Sequence, residues 1–180
     1  MGCAITSIFN NLGSRQWDWL WLIITEKWTS IPLYLILLYF IYTKYNLKTL
    51  GACIVIALAL TVLNDQLAGV FKYFFERPRP CNEDFMRFGR FIAKRCGKYG
   101  FYSAHAASSL SIAIFIGRVL KPFYSQVLFW LLIWAAIITY SRIYIGVHYP
   151  TDIIVGFFVG FIFGNFGFFL FKRFQLKYNK

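Results

Sequence analysis

The sequence predicts an all-α fold, a polytopic bundle of transmembrane helices, and three observations carry that prediction. Of 180 residues, 59% are hydrophobic and only 14% charged. A soluble domain has about 25% charged residues, so too few charges are present here to coat a surface facing water. The apolar residues gather into runs close to the ~20 residues that cross a bilayer as helix, and tryptophan clusters before the first run as it does at membrane–water interfaces. High hydrophobicity also excludes a disordered chain. The length fits one domain over residues 1–180, with an interfacial segment at 1–28, the bundle at 29–180 and an outer loop at 72–101.

Taken in order, the segment Ile5–Thr25 carries Trp17, Trp19 and Trp21 among charged residues. It reads as one or two amphipathic helices lying on the membrane surface. Ile31–Tyr45 is a short apolar run that crosses if it starts at Trp28 and its ends tilt or snorkel. Thr49–Phe71 holds only Asn64, Asp65 and Gln66 as strongly polar members, Tyr102–Leu120 carries His105 near its start, Phe123–Tyr140 ends at Ser141-Arg142, and Thr151–Phe171 is Ile, Val, Phe and Gly almost throughout. About five spans result, or six if the residues before Trp28 also cross. Gly156, Gly160 and Gly164 recur on one face of the last span. Small residues at that spacing let helices approach closely in lipid; a substrate groove is the second reading.

Charge sets the orientation. Lys plus Arg exceeds Asp plus Glu by 19 to 7, a net charge of +12. In a membrane protein such an excess marks cytoplasmic loops, so no nucleic-acid partner is expected. Five spans place Lys44, Lys48, Arg118, Lys121, Lys172, Arg173, Lys177 and Lys180 on that side. The loop Lys72–Phe101 falls on the other side and is also basic, with eight cations (Lys72, Arg77, Arg79, Arg87, Arg90, Lys94, Arg95, Lys98) against Glu76, Glu83 and Asp84. Topology does not account for that surplus; an anionic substrate does. Met1–Asn11 shows no secretory leader, although Met1–Thr6 matches a short acylation pattern. Cys53 reads as a small core residue, and Cys81 and Cys96 in the outer loop as either a disulfide or two thiols.

Three polar clusters sit at span ends on the outer side. In the first, Lys72 lies two helical turns after Asp65 on one face, Pro78 and Pro80 stop the helix, and Arg79 enters the loop. In the second, Ser103 is a helix N-cap, ahead of Ala104 and His105, where backbone N–H groups and the helix dipole favour an anion. In the third, Arg142 ends one span, Pro150 opens the next, and Asp152 in its first turn can fix the tautomer of His148. Ionisable groups at membrane depth are functional by default. The parts read as a phosphoryl-transfer site. Lys72, Arg79 and Arg142 neutralise phosphate oxygens, the helix start adds hydrogen bonds, one histidine attacks and the other protonates the departing oxygen. No carboxylate cluster for a divalent metal is seen, so neither metal nor cofactor is expected.

Lys-x6-Arg-Pro (Lys72, Arg79, Pro80), Ser-x-His (Ser103, His105) and Ser-Arg-x5-His-x3-Asp (Ser141, Arg142, His148, Asp152) resemble, in order and spacing, the three-part signature of the type-2 phosphatidic acid phosphatase superfamily. The second motif departs from it: the family usually has Pro-Ser-Gly-His, and this chain has Tyr102-Ser103-Ala104-His105. The resemblance covers about Asn64 to Phe171. It implies that His148 is the nucleophile that becomes a phosphohistidine, Asp152 its orienting partner, and His105 the acid. It further implies that Lys72, Arg79, Ser103, Ala104 and Arg142 bind phosphate. The family shares its fold with vanadium-dependent haloperoxidases, which are soluble enzymes, and this composition disfavours that branch.

The function so implied is an integral membrane lipid phosphatase that hydrolyses a lipid phosphate or pyrophosphate, expected in a bacterial inner membrane with its site facing the periplasm or exterior. Undecaprenyl diphosphate comes first among substrates, since a compact chain with a basic outer loop suits a pyrophosphate headgroup. Phosphatidylglycerol phosphate, phosphatidic acid and a lipid A phosphate are the alternatives. From another class, a non-catalytic lipid or anion transporter would need the cations but not the histidine pair. Oligomeric state is left open.

Overall fold

The computed structural model describes residue 6 and residues 9–178, with the backbone alone at 87 and 88. The leader and acylation readings at Met1–Asn11 fall largely outside them. Among the described residues the fold is six α-helices joined by turns: α1 Asp18–Thr25, α2 Ile31–Lys44, α3 Leu47–Phe75, α4 Ala104–Leu120, α5 Val127–Tyr144 and α6 Pro150–Tyr178. Helices α3, α5 and α6 are each long and apolar enough to cross a membrane. Segments Arg15–Thr25 and Lys27–Lys44 are together long and apolar enough for a further span and are bent by 69° at Glu26, the geometry of a broken span or a re-entrant loop. With α4, the five apolar elements of the sequence reading are all present. Helix α1 has only eight residues, too few for a sixth span. It packs instead against the outer end of α5, where Trp21 stacks on Tyr144 with ring centres 5.0 Å apart, and it leaves Trp17 and Trp19 exposed.

Helix α4 is the shortest of the central helices, at 17 residues, which is about 26 Å of helix. Its position explains why that suffices: it is buried along nearly its whole length and packs most extensively on α6 and α5. Protein rather than lipid surrounds it, so hydrocarbon thickness does not set its length. The apolar side chains facing outward belong to the helices around it, among them Val55, Leu58 and Val62 on α3 and Phe158, Phe161 and Ile162 on α6.

The glycine stripe makes the α4–α6 approach possible. A Cβ built on Gly160 would lie 2.5 Å from the Ala107 carbonyl oxygen, one on Gly156 2.8 Å from the Ser103 carbonyl, and one on Gly164 2.8 Å from both the Ser111 carbonyl and Ile114. The stripe therefore meets backbone, and helix packing is its role.

One boundary near the site differs from the outer loop drawn at 72–101: helix α3 runs on to Phe75, so Lys72 lies in its last turn, on the helix face it shares with Asp65, and the helix stops where Glu76 takes a left-handed conformation, φ 46°. Helix α5 runs from Val127 to Tyr144, so Arg142 ends a span as the sequence implies. A basic residue in the last turn is favoured by the helix dipole and does not stop the helix.

At the end away from the site, Lys44 lies over Phe123 and Tyr124, Arg118 bonds Asn165, and Lys172 lies over Phe168. These are the cations assigned to the cytoplasmic side, gathered at one end of the bundle. At the other end a clamp not foreseen from sequence holds the N-terminal segment. Buried Asn10 donates to the carbonyls of Arg90 (2.7 Å) and Tyr144 (2.8 Å), while Arg90 pairs with Asp18 at 2.6 Å.

Gly160→Ala forces apart two backbones and should cost about 1–3 kcal/mol, read as a lowered unfolding temperature in detergent. Gly51→Ala, where a Cβ meets nothing within 4 Å, should stay within about 1 kcal/mol of the parent. Equal effects would contradict the packing role.

Candidate active site

The site forms where the outer ends of α3, α4, α5 and α6 meet. From the last turn of α5 the chain turns at Gly146, whose φ of +81° disfavours any residue with a Cβ. Two residues later it delivers His148, 2% exposed, just ahead of Pro150. Asp152, fully buried in the first turn of α6, places Oδ2 3.3 Å from His148 Nδ1. The same oxygen accepts the Tyr149 N–H at 3.0 Å. The carboxylate at Nδ1 fixes the orientation of the imidazole, which also bonds the Gly100 backbone.

The start of α4 is tied to the same carboxylate-bearing residue: the Ser103 N–H donates to the Asp152 carbonyl at 3.1 Å. The Ser103 hydroxyl caps the helix by accepting from the Ala106 N–H at 3.4 Å, which leaves its hydrogen free to donate elsewhere. Ala104 opens the helix and His105 follows in its first turn, where backbone N–H groups have no partner within the helix. Electrostatic neighbours of His105 are Arg142, His148, Lys27 and Lys72.

From α3, Lys72 interacts with Arg79, Asp65, Arg142 and Asp152. Arg79, leaving the helix, donates from Nε to the Tyr99 carbonyl at 3.0 Å. It packs so closely on the loop that a Cβ at Gly100 would meet its Cγ at 2.9 Å and Asp152 Oδ2 at 3.6 Å. A disulfide joins Cys81 to Cys96, Cα atoms 6.2 Å apart, so of the two readings left open by sequence the bridge is the one the structure shows. Arg142 reaches Thr25 Oγ1 with Nη1 at 2.5 Å, and its buried Nε has no hydrogen-bond partner.

The eight residues singled out from sequence are thus brought to one place, with His148 facing Lys72, Arg79 and Arg142. Burial first, and then those three positive charges, push the His148 imidazole well below its ordinary value of 6.5, so it is neutral at pH 7. Two cavities open beside His105. One of about 280 Å³ runs between the bent α1–α2 element, α3, α4 and α5, with Asp65, Ser108, Tyr34 and Trp134 on its wall. Another, of about 730 Å³, lies under the outer loop. Among the described residues no group of three His, Cys, Asp or Glu side chains is placed to hold a metal ion.

Against known proteins, residues 48–175 match the PAP2 superfamily. The chain belongs to the PAP2 superfamily. A lipid A 4'-phosphatase of Porphyromonas gingivalis is 39% identical over 153 residues, covering 83% of this chain and 64% of that protein, so the match leaves about a third of the relative's length uncovered. An undecaprenyl-diphosphatase of Sulfolobus acidocaldarius is 30% identical over 137 residues, 75% of this chain and 60% of the relative. Among solved structures, a transmembrane PAP2-type phosphatidylglycerolphosphate phosphatase from Bacillus subtilis superposes with a TM-score of 0.72 at 24% identity, covering 98% of this chain and 85% of that one. That likeness shows the membrane-helical fold.

Sequence reading did not single out Arg77 as a member of the candidate site. It counted the residue among the eight loop cations available to an anionic substrate, whereas Nη1 bonds Asp152 Oδ1 and Thr151 Oγ1, each at 2.9 Å, and the guanidinium lies 4.2 Å from the Tyr149 ring centre. Arg90 was counted in the same way and instead pairs with Asp18. These two arginines serve carboxylates of the chain itself, which reduces the surplus charge left for a substrate. The signal for Arg77 was its place in Arg-Pro-Arg-Pro, an extra cation fixed by the turn that positions Arg79.

Because His148 is buried neutral, its unfolded form takes up a proton first. Stability from the buried imidazole is present above pH 6.5 and is lost as pH falls below that value toward the folded-state value. Acidification from about pH 7.5 to about pH 5.5 should therefore lower the unfolding temperature of the parent more than that of His148→Gln. Parallel curves would contradict a depressed His148.

Proposed function

We propose that this chain is an integral membrane phosphatase that hydrolyses a phosphate monoester on a lipid headgroup, of the lipid A type, at the outer face of the membrane. The observation that carries this reading is the buried His148–Asp152 pair facing Lys72, Arg79 and Arg142, with His105 across from it. Cations alone would serve a transporter. An imidazole with one nitrogen engaged and the other facing bound phosphate serves as a nucleophile.

The reaction follows from the geometry. Lys72, Arg79, Arg142, the Ser103 hydroxyl and the N–H groups at the start of α4 hold the phosphate oxygens. His148 Nε2 attacks phosphorus, the bond to the lipid oxygen breaks, and that oxygen takes the proton of His105. Water then attacks the phosphohistidine while His105 accepts its proton, and inorganic phosphate leaves. Asp152 stabilises the positive charge on the imidazole, and Arg77 fixes the Asp152 carboxylate from the loop side. Ala104, where glycine is usual in the family, adds a methyl group beside the cradle and leaves its N–H in place. Each role belongs to a side chain or backbone group of this chain, so release should continue in EDTA.

The order of substrates changes. The pyrophosphate argument rested on surplus loop charge, and two of those cations are paired internally. The lipid A 4'-phosphatase relative matches at higher identity and over more of this chain than the undecaprenyl-diphosphatase. A monoester of a sugar headgroup is favoured. The 280 Å³ cavity supports it, since the wall beside His105, where the leaving alcohol sits, offers Ser108, Thr25 and Asp65 to hydroxyl groups. An outward-facing site is supported by its position opposite the clustered cytoplasmic-type cations and by the disulfide, which belongs in an oxidising compartment.

Purified protein in EDTA should release phosphate from a lipid A-type monoester faster than from undecaprenyl diphosphate, and His148→Ala should abolish both. Retained turnover in His148→Ala sinks the mechanism; the reverse preference sinks the substrate assignment. Arg77→Met should lower kcat roughly tenfold, about 1.4 kcal/mol of transition-state stabilisation, with Arg77→Lys intermediate. An unchanged kcat would remove Arg77 from the site.

A further inference from the structure

The catalytic reading uses Lys72, Arg79 and Arg142, and carboxylates hold Arg77 and Arg90. Lys27, Lys94 and Arg95 are left without a role in it. They come from segments far apart in the chain. Lys27 stands at the bend between α1 and α2. Lys94 and Arg95 immediately precede Cys96, whose bridge to Cys81 anchors that part of the outer loop. All three line the 730 Å³ cavity, together with Arg142 and His105.

The charge on that wall is one-sided. Four cations face one carboxylate, Glu26, which lies 3.9 Å from Lys94. Apart from Thr25 and His105 the rest of the wall is apolar, from Leu22, Trp28 and Ile31 to Ile145 and Val147. Like charges gathered along one cleft repel one another and concentrate anions, and the apolar remainder suits the headgroup region of an amphiphile. His148, Lys72 and Arg79 are not on the wall, so the cavity is a compartment beside the phosphate cradle, sharing only Arg142 and His105 with it. The unpartnered Nε of Arg142 is a buried donor at that boundary. Since His105 protonates the departing oxygen in the proposed reaction, a compartment bounded by His105 lies on the leaving-group side.

We propose that this cavity is a second anion subsite, which holds a second phosphate group carried on the leaving-group side of the same lipid. The proposal rests on the catalytic reading above. One chemistry has two sources: a phosphate attached directly to the first, as in a lipid diphosphate, or one at the far end of a sugar headgroup.

The test is steady-state phosphate release by the full chain in detergent from two matched pairs. These are a disaccharide lipid with two phosphates and its monophosphate, and a polyprenyl diphosphate and its monophosphate. Lys94→Ser and Arg95→Ser alter exposed side chains, so folding is not at stake. The double variant should raise KM for the doubly phosphorylated member of at least one pair roughly fivefold to tenfold more than for its monophosphate partner. The pair that responds identifies the source. Equal factors within both pairs, the mark of general attraction to anions, or no rise at all, would overturn the subsite. No phosphate release from any of the four by the parent protein would overturn the phosphatase reading and the subsite with it.

Discussion

One buried carboxylate, Asp152, joins the parts of this site. Its Oδ2 takes His148 Nδ1 and the Tyr149 N–H, its Oδ1 takes Arg77, and its backbone carbonyl takes the Ser103 N–H. Through these contacts the loop after α3, the start of α4 and the turn after α5 are all fixed to the first turn of α6. A fully buried carboxylate is costly unless its oxygens are bonded, so the neighbours are as necessary to Asp152 as Asp152 is to them. Orientation of the imidazole and placement of the helix α4 N-terminus are thus set by the same residue.

The rest of the bundle holds those helix ends in register. The start of α4 is held against Asp152 because α5 and α6 enclose the helix, and α6 approaches closely enough only because Gly156, Gly160 and Gly164 lack side chains. Beyond the bundle, the bent α1–α2 element closes the site laterally, reaching Arg142 through Thr25. Asn10, Arg90 and Asp18 then pin the outer loop to the end of α5. Packing, loop anchoring and site geometry are consequently one network, in which the polar contacts lie at the outer end and the apolar ones below.

Much of this was legible in the sequence because a bilayer imposes a strong pattern. Apolar runs located the apolar helices, and the few ionisable residues near their ends are the ones the fold brings together. The end of α3 was less legible: the outer loop was drawn from Lys72, whereas the helix runs on to Phe75. What the charged loop residues do was not legible either, since Arg77 and Arg90 differ from Lys94 and Arg95 only in their partners, and those partners lie about 70 residues or more away in sequence. The Asn10 clamp was hidden for the same reason: a polar residue near the N-terminus gives no local sign that it bonds to carbonyls in two distant segments. The preference for a pyrophosphate rested on loop charge counted before its internal pairing was known.

The most direct test of the account is to trap the covalent intermediate. The protein would be mixed with a lipid phosphate labelled at phosphorus, quenched within milliseconds, and the labelled peptide mapped. The account predicts label that is stable to alkali and labile to acid, as a phosphoimidazole is, on the peptide that carries His148, and accumulation of that label in His105→Ala if loss of the general base slows the second step more than the first. Label at any other residue, or turnover with no protein-bound phosphate at any quench time, would contradict it.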